Sequence, residues 1–234
     1  MWMAAGVIKR QRQNERYNQE ELRKYTKEFL KKYYEENKAP VKAGLYISIG
    51  GTNMLLAEHR YTLNDKEIIL RSARLDEAQM LIDYLKTVTG ETRFLMCEPD
   101  EIEYTQSQEE QFIKLHNEAK DAMLILAFVD GEYAGNCSFQ SKAGSRRAGH
   151  RAGIGIALYQ KYTGFGLGRI MLNVLLQEIK NIGFSQAELT VVSDNKRACH
   201  LYQSLGFTEC GRIPNANRYD DGTYSDDILM VLQF

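Results

Sequence analysis

The stretch Gly155-Ile156-Ala157-Leu158-Tyr159-Gln160-Lys161-Tyr162-Thr163-Gly164-Phe165-Gly166-Leu167-Gly168-Arg169 decides the fold. A strand runs into a turn with three glycines at alternate positions, and a helical period begins at once. Met171, Val174, Leu175, Ile179 and Ile182 share one face of that helix, and Gly183 ends it. Glycines let the backbone approach a ligand closely and point successive N–H groups one way. A helix N-terminus adds unpaired donors and partial positive charge. Together these features can cradle a phosphate. A P-loop would need Gly-Lys-Ser/Thr, but Arg169-Ile170 follows Gly168. A dinucleotide fingerprint would need the first strand of a repeating βαβ unit, whereas antiparallel strand signals precede this turn. Taken alone, the stretch is either a phosphate site or a tight strand-to-helix connection.

Upstream, Glu67–Ser72 reads as a strand, Asp76–Thr87 as a helix and Glu109–Asn117 as another, with a loop around Pro99 between the two helices. Met123–Val129 is a buried run that turns back at Asp130-Gly131 into Tyr133–Gln140. After a turn at Ser141–Ser145, a long strand is expected over Arg146–Tyr159. Downstream come a strand at Ala187–Val192, a helix at Asn195–Leu205, and strands near Thr208–Ile213 and Ile228–Gln233.

The second informative stretch is Ser193-Asp194-Asn195-Lys196-Arg197-Ala198-Cys199-His200-Leu201-Tyr202-Gln203-Ser204-Leu205-Gly206-Phe207. Asn195 stands near the start of a short helix, with Tyr202 two turns later on the same side. Here the sequence resembles the GNAT superfamily of acetyl-CoA-dependent N-acetyltransferases over about residues 66–234. The family's Arg/Gln-x-x-Gly-x-Gly/Ala motif appears as Thr163-Gly164-Phe165-Gly166-Leu167-Gly168. Its Asn-x-x-Ala-x-x-Leu-Tyr-x-x-x-Gly-Phe pattern matches from Asn195 to Phe207. The resemblance implies an α/β fold of α+β type, with a mixed, strongly bent central sheet of six or seven strands and about four flanking helices.

It also implies direct transfer of the acetyl group of acetyl-CoA, as co-substrate, to a primary amine of a small molecule or a protein N-terminus. By that resemblance, Thr163, Gly164, Phe165, Gly166, Leu167, Gly168 and Arg169 hold the pyrophosphate. Ile156, Ala157 and Leu158 pair with the pantetheine amides and supply an oxyanion donor. Asn195 contacts the pantetheine arm, or is a plain helix N-cap. Tyr202 is the general acid for the departing thiolate, or a core aromatic. Two departures stand out. Thr163 replaces the usual Arg or Gln, and Gly153 follows His150-Arg151-Ala152 where relatives carry an acid. They motivate an alternative, a non-catalytic acyl-CoA-binding or sensing module on the same fold. For the base, the candidates are Glu98, Asp100, Glu101 and Glu103 in the loop, His150 on its strand, or a water chain. An acyl-enzyme on Cys137 or Cys199 is disfavoured, since neither has a His-plus-carboxylate motif. The polar loop Tyr219–Tyr224 lines the acceptor pocket or is simply a hairpin turn.

The 234 residues are 44% hydrophobic and 26% charged, with a net charge of −1, which rules out wholesale disorder and any whole-molecule pull toward nucleic acid or anionic membrane. The longest apolar run, Met123–Val129, is far short of the roughly 20 residues of a membrane span. Lys9 and Arg10 arrive too early for a secretory leader. Four scattered cysteines and four scattered histidines lack metal-ligand spacing, so no metal site is expected, and a reduced, cytoplasmic chain is. Residues 1–42 carry eleven Lys/Arg against six acids, with Leu22, Tyr25, Phe29 and Tyr33 in one helical stripe. The expected organisation is a basic amphipathic helical extension and connector over 1–62, docked on its own domain or a second copy in a homodimer, and an acetyltransferase domain over 63–234. Nucleic acid as a partner of the basic arm is the disfavoured alternative, because acids interleave with the bases.

Overall fold

A computed structural model describes residues 55–142 and 146–234. The expected N-terminal helix and most of the expected connector lie outside the described residues. Strands β1 (His59–Leu63) and β2 (Lys66–Ser72) form a hairpin through Asn64 and Asp65, whose φ values are 50° and 62°. Short polar side chains tolerate that left-handed region and suit a tight hairpin turn. The connector expected to reach residue 62 is corrected at its end. This turn folds His59 back onto Leu70, so His59–Thr62 belong to the sheet.

Helices α1 (Ala78–Glu91) and α2 (Gln106–Glu118) follow, with a 3-10 turn at Pro99–Glu101 between them. The second helix starts three residues earlier than expected because Thr105 and Gln108 form a capping box. The Gln108 N–H donates to Thr105 Oγ1 (3.3 Å), and the Thr105 N–H donates to Gln108 Oε1 (2.9 Å). Then come β3 (Ala122–Val129), β4 (Glu132–Ser141), β5 (Arg151–Leu158), α3 (Leu167–Ile182), β6 (Gln186–Val192), α4 (Lys196–Ser204), β7 (Thr208–Arg218) and β8 (Tyr224–Gln233). The long strand expected from Arg146 begins at Arg151, since residues 146–150 form a turn.

Eight strands, where six or seven were expected, form one mixed sheet in the order β1-β2-β3-β4-β5-β6-β8-β7. Every neighbouring pair is antiparallel except β5 and β6, which α3 connects by a crossover. At the β7 edge the register slips between Ile213 and Asn217; Asn215 takes φ 50° there and its N–H donates to Asp226 Oδ1 (3.0 Å).

β3 is buried on both faces, which explains its unbroken apolar run. Ile125 and Ala127 join Leu167, Met171, Leu172, Leu175 and Ile179 of α3 in the larger core, whereas Leu124 and Leu126 pack with Ala78, Leu81 and Ile113 of α1 and α2. Burying each such side chain of α3 stabilises by roughly 1.5–3 kcal/mol. Intrinsic helix preferences differ by only about 0.7 kcal/mol per residue, so packing rather than propensity holds the helix.

The parallel contact is short. Only Arg151, Ala152 and Gly153 of β5 pair with Gln186, Ala187 and Glu188 of β6. Arg151 grips the Glu188 carboxylate with two N–H groups, the second at 2.8 Å, and Gln186 Nε2 donates to it at 2.7 Å. The Arg151 bond first, then the Gln186 amide and the charge of Lys142, hold this carboxyl below its ordinary range against the opposing effect of burial. A depressed carboxyl stabilises the fold above its unfolded pKa and ceases to do so as pH falls through its folded value. Glu188→Gln should therefore lower the melting temperature at neutral pH and lose less stability than the parent between neutral pH and about pH 3. Thermal melts across that range check this; parallel losses would place the acid sensitivity elsewhere.

Candidate active site

Beyond Gly153 the two central strands part. β5 stays paired with β4 up to Leu158, yet nothing in the sheet pairs with Ile154, Gly155, Ile156, Ala157 or Leu158 on the β6 side. The sheet thus opens into a wedge with an unsatisfied backbone edge inside it, a position where buried peptide groups demand a partner.

The glycine turn caps the open end. Gly164 and Gly166 have φ of 89° and 106°, a region that only glycine enters freely, and Gly166 is the N-cap of α3. Arg169 is the first amide to bond back, to Gly166 O at 3.1 Å. The five N–H groups from Gly164 to Gly168 have no acceptor among the described residues. A Cβ on Gly164 would meet no atom within 4 Å, so that side of the turn is open, whereas Gly168 lets α3 lie close to Ile156, Leu158 and Leu201. Three contacts fix the approach to the turn. The Gln160 N–H donates to Glu91 (2.7 Å), and Lys161 Nζ and Tyr162 Oη donate to Glu132 (2.8 and 2.6 Å). These features suit a diphosphate-bearing carrier: consecutive amides and a helix N-terminus face an open space beside a strand edge that can pair with amides.

Thr163 Oγ1 donates to Gln160 O (2.8 Å) and accepts a bond from Arg197, while Arg169 donates to Ser204 Oγ (2.7 Å). Asn195 is the N-cap of α4, its Oδ1 accepting from the Ala198 N–H at 3.1 Å. Tyr202 is 7% exposed and packs edge-on against Phe207. Burial, with the nearby thiols of Cys199 and Cys137 adding to it, pushes its hydroxyl well above the usual tyrosine range. That hydroxyl has no hydrogen-bond partner among the described residues. Ile156, Ala157 and Leu158 lie on the open edge of β5, and the bonds of Arg197 to Thr163 and of Arg169 to Ser204 set α4 beside the glycine turn.

The candidate bases fare differently. His150 sits in the turn before β5, not on a strand, at the closed end of the wedge. Eight residues of strand separate it from the glycine turn, roughly 25 Å at about 3.3 Å per residue. Glu98 and Glu101 are occupied as the cap of a 3-10 turn, Glu101 accepting from the Glu98 N–H (2.9 Å). Burial pushes the thiols of Cys137 and Cys199 up, which disfavours a thiolate nucleophile at either.

Three features escaped the sequence. The first is a bulge in β4, where Ala134 is an extra residue between the pairs Ala127↔Gly135 and Phe128↔Tyr133. Gly135 has φ of 145°, and a Cβ there would lie 2.4 Å from Ala157 O. The second is an aromatic cluster beside that bulge. Tyr84 meets Tyr133 and Tyr159 edge-on (5.1 and 4.9 Å), and Asn136 donates to Tyr133 Oη (2.8 Å). The Tyr84 hydroxyl is buried with no close hydrogen-bond partner among the described residues. The third is Arg93, which reaches Asp194 (3.3 Å), Asp221 (3.9 Å) and the face of Tyr219 (4.3 Å). It ties the loop after α1 to the turn before α4 and to the β7–β8 hairpin. Of these, only the Asp221-Gly222 pair in the hairpin that Arg93 reaches was a local signal.

Comparison with known proteins places these features. The sequence pattern of the acetyltransferase (GNAT) family matches residues 83–207. The [ribosomal protein bS18]-alanine N-acetyltransferase of Escherichia coli is 38% identical over 77 residues, which is 33% of this chain and 51% of that protein. The chain thus spans about half the length of the curated relatives it matches. Among solved structures, a GNAT acetyltransferase from Streptococcus pneumoniae is 27% identical with a TM-score of 0.68, over 71% of this chain and 99% of that one. The yncA structure from Salmonella typhimurium, solved with its cofactor acetyl-CoA, is 18% identical with a TM-score of 0.63, over 71% and 93% of the two chains, and shares the fold.

The bulge glycine and a nearby strand glycine make a matched test. Gly135→Ala forces Cβ into the Ala157 carbonyl and should cost on the order of 2–3 kcal/mol. Gly155→Ala meets no atom within 4 Å and should change stability by under about 0.5 kcal/mol. Urea unfolding of the two variants measures both; equal costs would mean that the bulge tolerates a side chain.

Proposed function

Because the chain belongs to the acetyltransferase (GNAT) family, we propose that it transfers the acetyl group of acetyl-CoA directly to a primary amine. Five successive free amides at Gly164–Gly168, beside the unpaired edge of β5, carry this reading. The similar bS18-alanine N-acetyltransferase favours a protein N-terminus as acceptor over a small amine. Acetyl-CoA supplies a thioester-activated acetyl group on a long arm that bears amides and a diphosphate.

The residues divide the work. The amides of Gly164–Gly168 and the N-terminus of α3 hold the diphosphate, assisted by Thr163 and Arg169. Backbone groups of Ile156, Ala157 and Leu158 pair with the arm as a neighbouring strand would, and one N–H of that edge steadies the negative charge that grows on the carbonyl oxygen during attack. Tyr202 Oη keeps its proton at neutral pH because burial raises its pKa. It stands as the donor to the departing sulfur, and its protonated form persists through the alkaline range where an exposed tyrosine begins to ionise, near pH 10. Asn195 fixes the start of α4, and so acts on the arm by setting where Tyr202 stands.

The amine arrives protonated, with a pKa near 10, and must lose that proton before attack. Acids in the loop, among them Asp100 and Glu103, attract such a cation. The division into an N-terminal extension and an acetyltransferase domain belongs to the same proposal, with the domain taken to begin ahead of His59 rather than at residue 63, because β1 pairs with β2. A chain whose four cysteines form no disulfide fits a reducing cytoplasm. No helix among the described residues is long and apolar enough to cross a membrane.

Calorimetry with acetyl-CoA, followed by thiol release on adding peptides with N-terminal alanine or simple alkylamines, tests the proposal. Binding with thiol release is expected; binding with no release from any amine would mark a sensor. Tyr202→Phe should cut turnover roughly 10- to 100-fold while leaving acetyl-CoA affinity within about threefold. Equal losses in both would make Tyr202 a packing residue.

A further inference from the structure

Two arginines at the glycine turn, Arg169 and Arg197, have no carboxylate partner among the described residues. Lys161 is paired with Glu132, and Arg169 is tied to Ser204 on the far end of α4. Arg197 has no carboxylate partner among the described residues. Its one hydrogen bond goes to a neutral oxygen, Thr163 Oγ1, across 34 positions of sequence. A guanidinium has five N–H donors in a rigid fork, so most of them remain after this bond. The Thr163 hydroxyl spends its own proton on Gln160 O (2.8 Å), which leaves its lone pairs facing Arg197. The side chain of Arg197 is exposed, and an exposed arginine gains little from a single neutral acceptor unless its remaining donors have a use. Gly164–Gly168, with five free amides, begin at the residue next to Thr163. The first turn of α4 is thereby linked to the residue that precedes the five free amides.

We propose that Arg197, pinned by Thr163, is a further side-chain cation, beside Arg169, that grips the diphosphate of the acyl carrier at the glycine turn. This rests on the acetyl-CoA reading above and adds to it a residue on the other helix. It also gives Thr163 a role as the acceptor that aims the guanidinium. An arginine at position 163 has no acceptor atom and would repel Arg197, so the two positions work as a pair. Charge-assisted bonds to an anion are stronger than neutral ones and bidentate in favourable cases, which sets the scale of the expected loss.

Calorimetric titration of the full chain and of Arg197→Ala with CoA, 3′-dephospho-CoA and pantetheine tests this without turnover. Arg197→Ala should weaken CoA and 3′-dephospho-CoA alike, by roughly tenfold at low salt, and leave pantetheine unchanged. Adding Thr163→Arg to Arg197→Ala should recover most of the lost affinity, by returning a guanidinium to the same place. The inference is overturned if Arg197→Ala binds CoA as the parent does, if pantetheine suffers the same loss, or if only CoA suffers and 3′-dephospho-CoA does not. A parent chain that binds none of the three would instead overturn the acetyl-CoA reading itself.

Discussion

Everything functional in this fold depends on β5 parting from β6 after Gly153. Two parallel strands that ran together to their ends would satisfy each other's peptide groups and leave nothing for a ligand. Here only three residue pairs hold them, and the edge beyond is left open. A buried peptide group without a partner costs about 1–3 kcal/mol, so such an edge persists only where water or a ligand reaches it. The divergence is enforced from both sides. The Arg151–Glu188 contact and the α3 crossover fix the closed end, while the bulge at Ala134–Gly135 lets β4 follow β5 outward at the open end.

The turn at the mouth owes its shape to backbone geometry more than to charge. Lys161–Glu132 is a surface pair, a class typically worth about 0–1 kcal/mol, and could be lost without unfolding the loop. Two left-handed glycines are harder to replace, because a side chain at either would strain the backbone at the point where five amides converge. α3 then adds its dipole at no further structural cost, since its six buried side chains hold it in place whether or not an anion is bound.

Much of this was legible in the chain. The face of α3 followed from Met171, Leu175 and Ile179, and β3 from an apolar run that only a doubly buried strand needs. The glycine turn and the Asn195–Phe207 pattern located the wedge because both are local. What stayed hidden depends on contacts far apart in sequence. Gly135 looks like any strand glycine until the Ala157 carbonyl is seen where its Cβ would be. β1 hides behind polar residues, since a two-residue hairpin on a sheet edge needs no apolar alternation. β7 and β8 outrun their expected spans because their arms pair beyond the core, where Asn217 and Ser225 replace apolar signals. His150 looked like a strand residue because the run from Arg146 to Tyr159 has no strong breaker. The link between Arg197 and Thr163 joins two motifs that each make sense without the other.

β7 is eleven residues long, lies at the rim of the sheet and is exposed over most of its length. Such a rim ordinarily invites a strand from another molecule to add on, the first step toward fibrous assembly. The register slip at Ile213–Asn217 breaks the invitation, because Pro214 has no N–H and Asn215 turns its own toward Asp226. With a second register shift between Glu209 and Gly211, and Glu209 and Arg212 charged beside it, the rim offers no long run of pairing groups. The irregularity that made this strand hard to foresee is therefore also what keeps its rim from recruiting a strand of another molecule.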